Sequence, residues 1–287
     1  MALASAVATG DLRLIRGALS MGCDLNAVNN DGDSALMLAA NGNNVGVSDD
    51  AVSDDAAVGG WGRHAALANS YRVTPLLLAS EHGFSNLIKI LVNTTSNDGT
   101  NVLATAAQAG HVETVKMLID SGVYVDLDSG EGRTPLMFAA GKGQAEVVKL
   151  LLDKGADPNK GPRYGKTALN AAAEGGHVEV VQVLLTHGTS VKGCDHCPEM
   201  TPLAGAAQHG HVEIIKLLLQ NHAETNAHDD DGDSALHETV YHGHLEAARA
   251  LVEAEPGANV NKRNRCGWTP LMAAAHRDLL AFVELFV

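Results

Sequence analysis

The chain has 287 residues, of which 45% are hydrophobic and only 3% aromatic, so a core must be built mainly from small and medium apolar side chains. The formal net charge of −14 disfavours nucleic acid as a partner, because the phosphate backbone selects proteins with positive surfaces. Four scattered cysteines are too few for a disulfide framework in a chain this long, which indicates a reducing compartment.

The start of the chain does not resemble a secretory signal. It lacks a basic n-region and reaches Asp11 and Arg13 where such a signal would still be apolar. No later apolar run approaches the roughly 20 residues that a membrane helix needs. We therefore expect no membrane insertion and an intracellular location, either cytoplasmic or nuclear.

A short Thr-Pro-Leu-like motif recurs along the chain and divides it into units. Between Asn101 and Thr269 the equivalent positions are 33 to 35 residues apart, by subtraction along the sequence. A period of this length is the sequence signature of a solenoid, in which each unit packs on its neighbours. The equivalent positions are Ser34, Thr74, Asn101, Thr134, Thr167, Thr201, Ser234 and Thr269.

The unit that begins at Gly132 shows the predicted structure most clearly. Thr134 is a typical N-cap residue, and Pro135 follows at the first helical position, where its missing N–H has no cost. Gly143 is expected to end this short helix. A second helix with a Val-Val and Leu-Leu-Leu core is expected to follow and to end at Gly155.

This pattern resembles the ankyrin repeat family, whose units read Thr-Pro-Leu-His-x-Ala-Ala, Gly-His, a Val-rich stretch, Leu-Leu-Leu and Gly-Ala-Asp. The resemblance covers nearly the whole chain. It implies an all-α ankyrin-repeat solenoid, in which helix-turn-helix pairs are joined by β-hairpin or loop fingers. The expected units are 1–31, 32–70, 71–98, 99–131, 132–164, 165–198, 199–231, 232–266 and an incomplete 267–287.

Two segments in the first third depart from the pattern. Residues 43–66 lack the leucine-rich helix and carry aspartates and glycines instead, so we expect an irregular acidic insertion. The interval from Thr74 to Asn101 is short, so the finger between these units should be reduced. The last unit ends on Phe286 and Val287 without a polar outer face, which favours a longer parent protein or dimerisation at this edge.

In the ankyrin family the hairpin tips and first helices line a concave face, whose variable residues carry specificity. The resemblance implies a candidate partner-binding set on this face. It includes three of the four tyrosines and one of the two tryptophans, residue types common in binding hot spots, although these aromatic residues could equally cover neighbouring hairpins. The set is Tyr71, His82, Arg133, Lys142, Arg163, Tyr164, Glu174, His209, Asp231, Asp233, Tyr241, His242, Arg265, Trp268 and His276.

The sequence contains only weak signals of catalysis, metal binding or modification. Histidines recur at the Gly-His position of the repeat, which favours a scaffold role. Cys194 and Cys197 are a single Cys-x-x-Cys pair, too little to predict a zinc site. No phosphate-binding motif or nucleophile with a recognisable base is present, so we expect no catalytic activity, cofactor or metal. Asn26 and Asn226 resemble hairpin asparagines that are hydroxylated in some ankyrin repeats, although a turn role also explains them.

These observations favour a non-catalytic scaffold or adaptor that binds a protein through the concave face. Two alternatives remain open. The array could be the regulatory or substrate-recruiting arm of a larger ubiquitin ligase, kinase, acyltransferase or channel, or it could be a structural spacer in a large assembly.

Overall fold

A computed structural model of the protein describes residues 33, 80, 99–127, 132–162, 165–192 and 201–287. The chain divides into two compact units, Met1–Ser129 and Gly130–Val287. The described residues form twelve helices and no strand, as expected for an all-helical repeat protein. The predicted units before residue 99, including the acidic insertion 43–66, lie outside the described residues apart from Asp33 and Ser80.

The described part of the first unit is one helix pair, α1 (Gly99–Ala109) and α2 (Val112–Asp120), which pack on each other. The buried side chains of α2 are Thr114, Val115 and Leu118. Their spacing of three residues places Val115 and Leu118 on the same face of the helix, which is the side that α1 covers.

The second unit repeats this pair, with a short first helix and a slightly longer or equal second helix in each repeat. Each first helix packs on the first helix of the next repeat, and the second helices form a parallel row in the same way. The helices are α3 (Pro135–Gly141), α4 (Ala145–Asp153), α5 (Ala168–Gly175), α6 (Val178–Thr186), α7 (Pro202–Gln208), α8 (Val212–Gln220), α9 (Ala235–His242), α10 (Leu245–Val252), α11 (Pro270–His276) and α12 (Leu280–Phe286).

Hydroxyl caps start the first helices, as the sequence predicts. Thr134 accepts a hydrogen bond from the backbone N–H of Met137, and Pro135 occupies the first turn. The same threonine-to-third-residue bond begins α7 and α11. Because these caps satisfy N–H groups that a helix cannot pair itself, they fix where each first helix begins.

Paired alanines let the first helices approach closely. Ala139 and Ala140 of α3 are fully buried, as are Ala172 and Ala173 at the equivalent place in α5. The second helices contribute larger side chains, such as Leu151 of α4. Small residues on one row and leucines on the other build a thin, continuous core with few aromatic residues.

Histidines join successive repeats of the second unit. In each case the ring Nε2 donates to a backbone carbonyl at the end of the preceding repeat's first helix, at 3.0 to 3.2 Å. The ring also lies over the glycine that follows that first helix, which is Gly143, Gly176 or Gly210 in turn. This arrangement agrees with the scaffold role expected from their recurrence. The pairs of histidine and carbonyl are His177 with Gly141, His211 with Glu174, and His244 with Gln208.

The last repeat uses another residue for the same purpose. Leu279 stands where the three preceding repeats have histidine, at the N-cap of α12. Arg277 instead donates through one guanidinium nitrogen to the carbonyls of Val240 and Tyr241. Tyr241 occupies the position equivalent to Gln208, whose carbonyl accepts from His244. Arg277 therefore satisfies the Tyr241 carbonyl, for which the last repeat supplies no histidine.

Candidate partner-binding site

A pocket of about 460 Å³ opens between the last two repeats of the second unit. Its walls come from two neighbouring hairpin tips and from the first helices α9 and α11. Several residues of the predicted partner-binding set meet here. The lining residues are Asp231, Asp233, Tyr241, Asn264, Cys266, Trp268, Ala273, His276 and Arg277.

The two hairpin tips are joined by backbone contacts. The N–H of Arg265 donates to the Asp231 carbonyl at 2.8 Å. A Cβ added to Gly232 would lie 2.9 Å from the same Arg265 nitrogen, so a side chain there would push the tips apart. The close approach of the two backbones therefore sets the distance between the residues that each tip contributes to the pocket.

Asp233 is the centre of a polar network on one wall. Its Oδ1 accepts from the Tyr241 hydroxyl at 3.1 Å and from the Asn264 amide at 2.9 Å. The Asn264 side-chain oxygen in turn accepts from the backbone N–H of Trp268 at 2.9 Å. These bonds fix the Asp233 side chain, of which only 14% is exposed, and through Asn264 they link it to the next hairpin.

His237 lies beneath this network and is neutral. Its Nδ1 accepts from the backbone N–H of Ser234 at 3.1 Å, and its Nε2 donates to the carbonyl of Trp268 at 3.2 Å. A protonated ring has no nitrogen left to accept, so this geometry requires the neutral form with the proton on Nε2. Burial lowers the pKa of His237 in the same direction, outweighing Asp233, whose carboxylate oxygen lies 3.9 Å from Nε2.

Burial and nearby negative charges raise the pKa of two acidic groups close to Asp233. Burial first, and then the charge of Asp233, raises the pKa of the Tyr241 hydroxyl to about 12. Burial, followed by the charges of Asp229 and Asp233, raises the pKa of Glu238. Both groups thus resist taking on a negative charge at this end of α9.

The opposite wall is aromatic and more exposed. The Trp268 indole and the His276 ring meet edge to face, with centroids 5.1 Å apart. Trp268 is 37% exposed, and Met272 of α11, which does not line the pocket, is 43% exposed. An aromatic side chain left in solvent in a pocket is typical of contact surfaces.

Other members of the predicted set lie elsewhere on the second unit. The Arg133 guanidinium stacks 4.3 Å from the centre of the Phe138 ring. Glu174 pairs with Lys166 at 2.5 Å and so has an internal partner. His242 lies 3.5 Å from Glu238, and His209 stacks on His211 with centroids 5.9 Å apart. The structure does not bring this second group into the pocket, nor Lys142 or Arg265.

Most of the remaining residues singled out from the sequence lie outside the described part of the chain. Tyr71, His82, Arg163, Tyr164 and Asn26 lie outside the described residues, as do Cys194 and Cys197. Asn226 is described, and its Oδ1 accepts from the backbone N–H of Asn259 at 2.8 Å. That bond gives Asn226 a structural role between hairpins, and its hydroxylation stays a prediction that peptide mass spectrometry would test.

Asn264 and Cys266 line the pocket, although the predicted set omits both. Asn264 belongs to a basic stretch, Lys262 to Arg265, in which the charged side chains are the more evident candidates for binding. A signal was present, because asparagine before a turn commonly accepts from a backbone N–H a few residues on, as Asn264 does. Cys266 carries no comparable signal.

Neither a metal site nor a membrane helix emerges in the described part of the chain. There, no group of three or more histidine, cysteine or acidic side chains is arranged to hold a metal ion. None of the helices there has the length and apolar character needed to cross a bilayer.

Comparison with known families agrees with the helix pairs and their joining histidines. A family model described as ankyrin repeats, in three copies, matches residues 58–129, 76–162, 123–197, 155–229 and 203–287. A search of curated proteins finds no match. The overlapping family matches extend from residue 58 to residue 287, which is well over half of the sequence. The chain therefore belongs to the ankyrin repeat family.

Proposed function

We propose that the chain is a non-catalytic scaffold that binds a protein partner through its concave face, meaning the hairpin tips and first helices. Ankyrin repeats are generally protein-protein interaction modules, and the family is typically non-catalytic. The observation that carries the proposal is the pocket of about 460 Å³, in which predicted residues from two hairpins and two first helices meet.

The distribution of exposed side chains supports this face over the second helices. Trp268 is exposed in the pocket and Met272 is exposed on α11, and burial of both by a partner would contribute favourable free energy. On the second helix α10, by contrast, the exposed side chains include Glu246 and Arg249, which pair with each other at 3.8 Å. A solvated ion pair of this kind contributes little to binding when buried.

The test is an affinity pull-down from the native cell followed by mass spectrometry. The wild-type chain is compared with a Trp268→Ala variant and with a control that carries Glu246→Ala and Arg249→Ala on α10. Circular dichroism checks that all three chains are folded. We expect the Trp268→Ala variant to lose a protein that the wild type and the control both retain.

Two other outcomes favour other functions. Loss of the same protein from the α10 control alone would place the contact on the second helices and overturn the proposal. Unchanged retention by every variant would favour a structural spacer, in which no single face dominates. A catalytic domain in a parent protein would favour the regulatory or substrate-recruiting arm, and the pull-down would then identify its substrate or regulator.

A further inference from the structure

We propose that the pocket between the last two repeats holds an arginine side chain of the partner, with Asp231 and Asp233 facing its guanidinium group and Trp268 stacking on it. This inference rests on the proposed function and names the chemistry that the binding face recognises. It is carried by the pocket's shape, by its unpaired carboxylate oxygens and by its aromatic wall.

The carboxylates of the pocket lack cationic partners. Among the described residues, the Asp231 side chain and Oδ2 of Asp233 have neither a hydrogen bond nor an ion pair. His237, whose Nε2 lies 3.9 Å from Oδ1 of Asp233, makes hydrogen bonds that require the neutral ring. A carboxylate that is 14% exposed and has no cation beside it is costly, because burial removes water without supplying a counter-charge. A cation from outside would remove that cost.

Three basic side chains near the pocket are held by backbone carbonyls. Lys262 donates to the Asn226 carbonyl, and Arg263 donates to the Gly267 carbonyl at 2.8 Å. Arg277 is bound to the carbonyl of Tyr241, near the end of α9. Asp233 precedes α9, so the carboxylate and the guanidinium are held at opposite ends of that helix. The pocket is therefore acidic at one end and basic at the other.

The aromatic wall favours arginine over lysine. A guanidinium group is planar and weakly hydrated, so it can stack on an indole while its edge donates to a carboxylate. An ammonium group is compact and strongly hydrated, and it cannot make both contacts in this way. The Trp268 indole, 37% exposed at the rim, offers such a surface within the same pocket as Asp231 and Asp233.

The charge of the whole chain points in the same direction. A formal net charge of −14 attracts basic segments and raises their rate of encounter. The acidic sequence Asp229 to Asp233 concentrates this charge at the hairpin tip beside the pocket. Long-range attraction alone does not distinguish residues within that sequence, which provides a matched control for the experiment.

The experiment measures binding of synthetic peptide pools, each of twelve-residue peptides with one fixed central residue and random flanks. The fixed residue is arginine, lysine, or citrulline, which has the shape of arginine without its charge. Binding to the full chain is followed by fluorescence anisotropy. We expect the arginine pool to bind about tenfold more tightly than the citrulline pool, and more tightly than the lysine pool.

Three variants separate the contact from the general attraction. Asp231→Asn should reduce the preference for arginine over citrulline, because only Asp233 then faces the guanidinium, and Trp268→Ala should remove the preference for arginine over lysine. Asp230→Asn is the control, because it removes one charge from an exposed neighbour that does not line the pocket. It should keep both preferences, since it leaves the pocket unchanged.

The outcomes distinguish this inference from the proposed function. Equal binding of the arginine and citrulline pools, or binding of no pool, overturns the arginine site. Equal losses in Asp230→Asn and Asp231→Asn overturn it too, because they reduce the effect to net charge. If Trp268→Ala still loses its protein in the pull-down, the proposed function stands without the arginine site.

Discussion

Replacing Gly176 with alanine should destabilise the chain more than replacing Gly243 with alanine. Both glycines end a first helix in the left-handed conformation, with φ of +76° and +77°. An alanine in that conformation costs about 1–2 kcal/mol, because its Cβ crowds the following carbonyl. The backbone contribution is therefore the same at the two sites.

The two sites differ in what lies above them. A Cβ on Gly176 would lie 2.7 Å from Cε1 of His211, whereas a Cβ on Gly243 would meet nothing within 4 Å. His211 cannot easily move aside, since its Nε2 donates to the Glu174 carbonyl at 3.0 Å and its backbone begins α8. Overpacking of this kind costs about 1–3 kcal/mol. We expect about 2–5 kcal/mol for Gly176→Ala and about 1–2 kcal/mol for Gly243→Ala.

The assay is equilibrium urea unfolding, combined with native-state hydrogen exchange because repeats can open separately. A double-mutant cycle with His211→Ala isolates the destabilisation that is due to the clash with the His211 ring. In that background Gly176→Ala should cost no more than Gly243→Ala does in the wild type. The reasoning is refuted if the two alanines cost the same in the wild-type chain, or if the excess at Gly176 survives the loss of His211.

Three further predictions concern stability. Burial lowers the pKa of His237, so just below the ordinary pKa of 6.5 the unfolded chain binds more protons than the folded chain, and stability should fall as the pH drops through that range. An asparagine can replace the histidine in the capping box, as Asn170 shows in α5. The variant His237→Asn should therefore reduce the pH dependence of stability, measured by urea titrations from about pH 7.5 to about pH 5. Leu236→Ala, at a fully buried position, should cost about 2–5 kcal/mol of unfolding free energy, whereas Leu280→Ala, 67% exposed, should change it by less than about 0.5 kcal/mol in the same assay. Thr201→Ala should cost about 1 kcal/mol and raise hydrogen exchange in α7, because the hydroxyl that accepts from Ala204 is lost; unchanged exchange there would contradict the capping role.

Local features of the fold could be predicted from the sequence because their causes are local. The cap at Thr134, Pro135 in the first turn and the glycines that end the helices all act within a few residues of themselves. The scaffold role of the histidines followed from their period alone. Their hydrogen-bond partners did not, since the carbonyl that His211 reaches lies 37 residues earlier in the chain.

The pocket could be predicted only in part, because it depends on contacts between repeats. Asp233, Tyr241 and Trp268 stand at positions where the family varies, which was enough to select them. Asn264 joins all three through its amide and its side-chain oxygen, and nothing in its own repeat marks it as the link. Glu174 shows the opposite case, because it stands at a variable position yet pairs with Lys166 of its own repeat.

The last repeat shows how one replacement changes the role of another position. In the three repeats before it, the histidine that begins the second helix donates to a carbonyl at the end of the preceding repeat's first helix, so the residue two positions earlier is not needed for that bond. Once Leu279 replaces that histidine, Arg277 provides the hydrogen bonds from a position that otherwise varies. As a result of the same change, no histidine ring packs over Gly243, and the Arg277 guanidinium is fixed in the wall of the pocket. In this repeat the same arginine therefore satisfies the carbonyls at the end of α9 and lines the pocket.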